Sequence, residues 1–163
     1  MGLHLRAMTH DDLPQIKRWL YADHVRDVWG DPEAHVVLLG EAPRPGAWRA
    51  VMEADGKAIG LVLWQHPSRA ELDAAGLVEI PTSVIDIDIM IGETRALGQG
   101  FGTDAIRQMT EMALSNAKVP YVMACARWDN YASQRAFSKA GFRHVRSFDE
   151  LSEGPYVLMI RER

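Results

Sequence analysis

Nine residues, Arg95-Ala96-Leu97-Gly98-Gln99-Gly100-Phe101-Gly102-Thr103, restrict the fold of this chain more than any other stretch. They come directly after an alternating apolar run, Val84 to Ile91, and directly before a helical pattern that starts near Thr103. A strand, a turn of three glycines and a helix start make a geometry for holding phosphate. Gly98, Gly100 and Gly102 can take backbone angles closed to other residues, so successive N–H groups can converge on one point. The helix that follows adds unpaired N–H groups and a partial positive charge. The remaining chain reads as support for this anion site or as the wall of a second site.

The flanking pattern defines a mixed α/β chain. Leu3 to Met8 alternates as a first strand, and Thr9 with Asp12 starts a helix whose buried face is Leu13, Ile16, Trp19 and Leu20. A second short helix or turn runs through Asp23–Trp29 and stops at Gly30-Asp31-Pro32, and residues 30–46 are irregular. Residues 48–54 and 58–64 flank Asp55-Gly56-Lys57, a hairpin signal. Residues 66–82 form a polar insertion with a brief helical turn at Glu71-Leu72-Asp73. In the central strand, residues 83–92, Ile85, Ile87, Ile89 and Ile91 face one side and Asp86, Asp88 and Met90 the other. After the glycine turn, Ile106, Met109, Met112 and Ala113 stripe a helix. Residues 121–126 form a buried strand, Asn130 to Ala140 a helix stopped by Gly141, and residues 142–148 and 156–161 pair around Glu153-Gly154-Pro155. The expected order is β-α-α-β-β-β-α-β-α-β-β in a single domain, residues 1–163.

Composition narrows the function. A formal net charge of −4 leaves no electrostatic footprint for nucleic acid, although it suits a cationic substrate. No apolar run approaches the ~20 residues that span a bilayer, and Met1 to Arg6 lacks a signal peptide's layout, so a cytoplasmic protein is expected. A lone cysteine, Cys125, and scattered histidines provide no disulfide framework and no metal site. Cys125 reads as a buried core thiol.

The order of elements, with Arg95-x-x-Gly98-x-Gly100 between strand and helix, resembles the GCN5-related N-acetyltransferase superfamily and its Q/R-x-x-G-x-G/A signature. Asn130-x-x-Ser133-x-x-x-Phe137-x-Lys139-Ala140-Gly141-Phe142 resembles a second segment of that superfamily, at the expected separation. A narrower likeness, carried by Trp19-Leu20, His24, Trp29-Gly30, Ile87-Asp88 and both motifs, is to aminoglycoside 6'-N-acetyltransferases. The resemblance implies a mostly antiparallel sheet flanked by helices. It implies acetyl-CoA as co-substrate, no metal, and a small amine as acceptor, with a cationic aminoglycoside as the specific expectation. Oligomeric state stays open. Rival acceptors are a protein N-terminus, a siderophore precursor or another small amine; a non-catalytic acyl-CoA sensor is the other alternative.

The same resemblance distributes the roles. The backbone of Gly98, Gln99, Gly100, Gly102 and Thr103 binds the pyrophosphate, with Arg95 adding charge. Ile89 and Ile91 lie where the strand backbone pairs with the pantetheine arm, and Asn130 and Ser133 stand on the cofactor side. Asn130 is equally a helix N-cap. Asp88 contacts the amine and acts as general base, against the alternative of a solvent-facing strand carboxylate. Asp86, two residues earlier on the same face, would complete an acidic wall in which repulsion raises one pKa. Trp29, with Asp27 beside it, flanks the acceptor or closes the helix pair as a core residue. Two positions depart from the relatives: Cys125 stands where they carry a carboxylate, and Phe137 where they carry the tyrosine proposed as general acid. Phe137 has no proton to give, which leaves water, or the nearby acids Glu93 and Asp129, to protonate the leaving thiolate.

Overall fold

Strands and helices alternate as the periodicities demand, with two helices more than the pattern predicts. The computed structural model describes residues 2–150 and 154–163, Glu150 without its side chain. The order is β1 (Leu3–Ala7), α1 (Leu13–Tyr21), α2 (Asp23–Trp29), α3 (Pro32–Gly40), β2 (Trp48–Ala54), β3 (Lys57–Gln65), α4 (Arg69–Ala74), β4 (Ile85–Ile91), α5 (Phe101–Leu114), β5 (Tyr121–Arg127), α6 (Tyr131–Lys139), β6 (Arg143–Glu150) and β7 (Gly154–Glu162). The seven strands join in the order β1-β2-β3-β4-β5-β7-β6. The pairs β1/β2, β5/β7 and β6/β7 are antiparallel, and β4/β5 is parallel. A parallel pair needs a crossover connection, which α5 provides. The mixed, mostly antiparallel sheet flanked by helices is the expected fold class.

Local chemistry explains the two extra helices. The stretch read as irregular contains α3, which begins where Asp31 accepts a hydrogen bond from the Glu33 N–H at 3.0 Å and Pro32 occupies the first turn. An N-cap aspartate followed by proline is a start signal that the glycines at 30, 40 and 46 obscured. The brief turn expected at 71–73 is α4, started by a reciprocal cap. The Glu71 N–H donates to Ser68 Oγ at 3.1 Å, and the Ser68 N–H donates to the Glu71 carboxylate at 2.9 Å. In the β2–β3 hairpin Asp55 and Gly56 both have positive φ, 54° and 74°, the backbone of a two-residue turn whose twist matches the strands. Met112 does not join the buried stripe of α5; it is exposed, and Ala105 and Thr110 are buried with Ile106, Met109 and Ala113. The turn expected at Glu153-Gly154-Pro155 falls partly on Glu153, outside the described residues.

The chain divides into two compact units. One comprises the residues through Leu63 and Ile89–Ala105; the other comprises Trp64–Asp88 and Ile106–Arg163. In the first, Ile16, Trp19 and Leu20 of α1, Val25 of α2 and Leu39 of α3 pack on Val51, Leu61 and Met90 of the strands. In the second, Leu72, Leu77, Ile80 and Val84 pack with Met123, Phe148, Leu158 and Ile160. Among the described residues no helix is long and apolar enough to cross a membrane.

The first unit is tied at its edge by an ion-paired cluster. Arg6 on β1 donates to both oxygens of Asp12, at 2.9 and 2.7 Å, and to Glu53 on β2 at 2.9 Å. Asp12 also accepts the Thr9 N–H at 2.8 Å, fixing the entry to α1. These bonds, the one from Arg6 foremost, hold the Asp12 carboxyl below its ordinary range. A carboxyl depressed by folding stabilises the fold above its unfolded pKa of about 3.9, and that contribution is lost as pH falls through the lower folded value. Arg6→Met is therefore expected to destabilise the protein at pH 7 by about 1 kcal/mol, the modest scale of a partly exposed ion pair. The variant should also show a flatter loss of stability on the acid side. Urea denaturation at pH 7 and between pH 5 and pH 3 checks both.

Candidate active site

Strand β4 ends in a junction that fixes where the glycine loop begins. Gly92 is buried, and a Cβ built on it would lie 2.1 to 2.5 Å from ring atoms of Trp19. Only a residue without a side chain lets α1 approach β4 this closely. The Gly92 and Glu93 N–H groups both donate to the Ile59 carbonyl, at 2.8 and 3.1 Å. The Ile91 carbonyl lies 2.9 Å from His24 Nε2; a carbonyl can only accept, so that nitrogen carries a proton. Glu93 is drawn in from three directions. Its carboxylate accepts from Trp19 Nε1 at 2.6 Å and from Gln15 Nε2 at 3.4 Å, and pairs with Arg95 Nε at 3.6 Å. A 3-10 turn, Thr94–Ala96, then leads into the loop.

Two of the three glycines have the backbone predicted for them, whereas Gly102 lies inside α5, which begins at Phe101 rather than near Thr103. Gly98 and Gly100 have φ of 71° and 83°, and a Cβ on either would meet nothing within 4 Å, so the loop backbone borders open space there. Gln99 closes the turn by donating from Nε2 to the Arg95 carbonyl at 2.6 Å. The Gly100 carbonyl accepts the Asp104 N–H at 3.1 Å and so begins the ladder of α5. The N–H groups of the first turn of that helix therefore have no intrahelical acceptor. Thr103 is buried, and Ile89 Cδ1 lies 3.7 Å from the position a Cβ on Gly102 would take. The loop, Ile89 and the start of α5 are thus one packed group. An anion fits it: there are free donors, a positive helix end and open space above the glycines.

On β4 the alternation is preserved for Ile85, Asp86, Ile87 and Asp88, the isoleucines buried and the carboxylates half-buried. Ile89 and Ile91 are half-buried, and Met90 is buried in the first unit's core. The described pairing of β4 with β5 covers Ile85/Val122 and Asp86/Met123, so Asp88 lies beyond the last paired position. The backbone role expected of Ile91 is narrowed, because its carbonyl already accepts from His24.

The other expected residues are distributed as follows. Asn130 caps α6, its Oδ1 accepting the Ser133 N–H at 3.2 Å; the cap leaves the Asn130 amide nitrogen for another partner. Trp29 is half-buried against the first unit's core, with its ring edge on His35 at 5.2 Å. His35 Nε2 bonds the Trp29 carbonyl at 2.6 Å. Part of that ring is therefore core packing. Asp27 is exposed on α2. Cys125 is half-buried rather than the fully buried thiol expected, because its side chain lies at the margin of the second core. Phe137 is buried and packs edge-to-face on Phe142, centroids 5.0 Å apart, as a core residue. Of the two substitute acids, Asp129 pairs with Arg127 at 2.7 Å and Glu93 is held as described. The hydrogen bonds that occupy Glu93 are the feature sequence reasoning missed; its signal was a carboxylate directly after the strand, with an indole already assigned to the buried face of α1. Among the described residues no group of three or more His, Cys, Asp or Glu could hold a metal ion.

A mixed, mostly antiparallel sheet that contains the parallel β4/β5 pair, and a strand that leads through a glycine-rich loop into a helix, are the features of an acetyltransferase. The chain belongs to the acetyltransferase (GNAT) domain family, whose profile matches residues 2–143. The acetyl donor of these enzymes is acetyl-CoA. Within the family the chain is similar to aminoglycoside N(6')-acetyltransferase type 1 of Klebsiella pneumoniae, at 26% identity over 167 residues, covering 98% of this chain and 82% of the relative. The similarity to the enzyme of that name from Serratia marcescens is the same. Its fold matches that of AAC(6')-Ib in complex with ribostamycin and coenzyme A, with a TM-score of 0.83 at 23% identity, over 100% of this chain and 94% of that one.

The junction's tolerance is testable. Gly92→Ala should destabilise the protein by about 3 kcal/mol or more, the upper range for overpacking, because the added methyl meets a rigid indole. Thermal melts of Gly92→Ala beside Gly2→Ala, where a Cβ meets nothing within 4 Å, check this.

Proposed function

We propose that this protein is an acetyl-CoA-dependent N-acetyltransferase of a small cationic amine, with the 6'-amino group of aminoglycoside antibiotics as its acceptor and antibiotic inactivation as the result. The observation that carries the donor half is the Gly98–Thr103 loop, with positive φ at two glycines and open space above them. The acceptor half is supported by similarity to aminoglycoside 6'-acetyltransferases along 98% of the chain.

When bound, acetyl-CoA supplies a thioester carbonyl open to attack by an amine. The amine must be neutral when it attacks, and the departing thiolate must gain a proton. Asp88 positions the amine and accepts its proton. The Asp86 carboxylate adds negative charge, which favours a polycationic sugar, and Trp29 with Asp27 contributes an aromatic face and a third carboxylate for the same acceptor. The N–H groups of Gly98, Gln99, Gly100, Gly102 and Thr103 bind the donor's pyrophosphate, and Arg95 adds charge there. The strand backbone at Ile89 polarises the thioester, while Ile91, Asn130 and Ser133 hold the pantetheine arm. Phe137 supplies no proton, so the thiolate takes its proton from water. The protein acts in the cytoplasm, as one acetyltransferase domain.

Asp88→Asn is expected to lower turnover on an amine acceptor by well over tenfold and to leave CoA affinity within about twofold. Steady-state kinetics with calorimetric CoA titration reads both, and unchanged turnover removes Asp88 from the mechanism. The acceptor is decided by CoA release against kanamycin, tobramycin, amikacin, linear polyamines and N-terminal peptides. Inhibitory concentrations in a strain expressing the protein complete the test. Turnover confined to peptides or polyamines would overturn the aminoglycoside reading.

A further inference from the structure

The junction between β4 and the glycine loop contains a carboxylate that the proposed chemistry does not use. Glu93 is half-buried, and its carboxylate accepts from the indole N–H of the buried Trp19 at 2.6 Å and from Gln15 at 3.4 Å, while pairing with Arg95 at 3.6 Å. Its own N–H donates to Ile59, and its carbonyl accepts the Ala96 N–H at 3.0 Å to start the turn that leads into the loop. One residue thus joins α1, β3 and the anion loop. A carboxylate fastened on this many sides is a poor proton shuttle, because moving a proton onto it breaks the bonds that hold it. It is well suited to fixing geometry, since hydrogen bonds to a charged acceptor are stronger and more directional than neutral ones.

We infer that Glu93 is a positioning residue for the acetyl donor: by bonding Trp19 and Arg95 it holds the Arg95–Thr103 loop in the conformation that binds the pyrophosphate of coenzyme A. The inference rests on the proposed donor site. Helix α1, which packs in the first unit's core, therefore also sets the geometry of donor binding. Arg95 is included in the same arrangement. Its pairing with Glu93 keeps it at the entrance to the loop, where an arriving phosphate can compete for it.

The experiment is a calorimetric titration of the wild type, Glu93→Ala, Glu93→Gln, Trp19→Phe and Arg6→Met with coenzyme A, beside thermal melts. Glu93→Ala is expected to raise the CoA dissociation constant at least tenfold. Glu93→Gln keeps an oxygen that accepts the indole N–H and should stay within threefold of wild type. Trp19→Phe keeps an aromatic ring, though a smaller one, and removes the donor; it should weaken CoA three- to tenfold, and it serves in place of Glu93→Ala if that variant does not fold. Arg6→Met lowers stability in the same unit away from the loop and should leave CoA affinity unchanged, which separates positioning from general loss of stability. Glu93→Ala and Trp19→Phe both binding CoA within twofold of wild type would overturn the inference, as would equal weakening in Arg6→Met. Failure of the wild type itself to bind CoA would instead overturn the donor site on which the inference rests.

Discussion

The contact between the Trp19 indole and the bare backbone of Gly92 sets the geometry from which the glycine loop is built. Helix α1 can lie against the end of β4 only because Gly92 has no side chain. That closeness brings the indole N–H within 2.6 Å of the Glu93 carboxylate, and Glu93 in turn opens the turn into the glycine loop. A buried aromatic normally needs a partner for its polar edge, and here the partner is the residue that starts the turn into the glycine loop. Core packing and loop geometry are thus one interaction.

Strand β4 carries opposite demands on its two faces. Ile85 and Ile87 are buried, Asp86 and Asp88 are half-buried between them, and Met90 enters the core of the first unit. Two carboxylates on one face of a central strand cost desolvation energy, and a fold retains such groups more readily where a positively charged partner or substrate offsets the cost. The cationic amine proposed as acceptor would be such a substrate. The family pattern is broken at Phe137, and its burial against Phe142 shows how the chain uses that position: the ring contributes apolar packing to the second unit.

Most secondary structure could be read from the sequence because its signals are local. The Asp55-Gly56 turn, the Thr9–Asp12 start of α1, the Asn130 cap of α6 and the glycine stop after it each depend on residues within a few positions of one another. Helix α3 escaped notice although its start signal, Asp31-Pro32-Glu33, was also local, because the surrounding glycines and prolines resemble an irregular segment. Met112, expected in the buried stripe of α5, is exposed, although it lies close to the angular position of the buried Ala105, so helical position alone does not fix burial.

The turn at Gly98 and Gly100 was determined by sequence alone, since positive φ there is a property of the glycine backbone and needs no distant partner. The tertiary structure decided what the side chains around it do. Glu93 reads in sequence as a spare acid, but its indole partner lies 74 residues away in the chain and its role follows from that pairing. His24 meets the Ile91 carbonyl across 67 residues, and Trp29 is partly absorbed into a core built from three helices and three strands. Backbone conformation follows from nearby residues, whereas the use of a side chain depends on which groups folding brings within about 3 Å of it, a distance that sequence spacing does not specify.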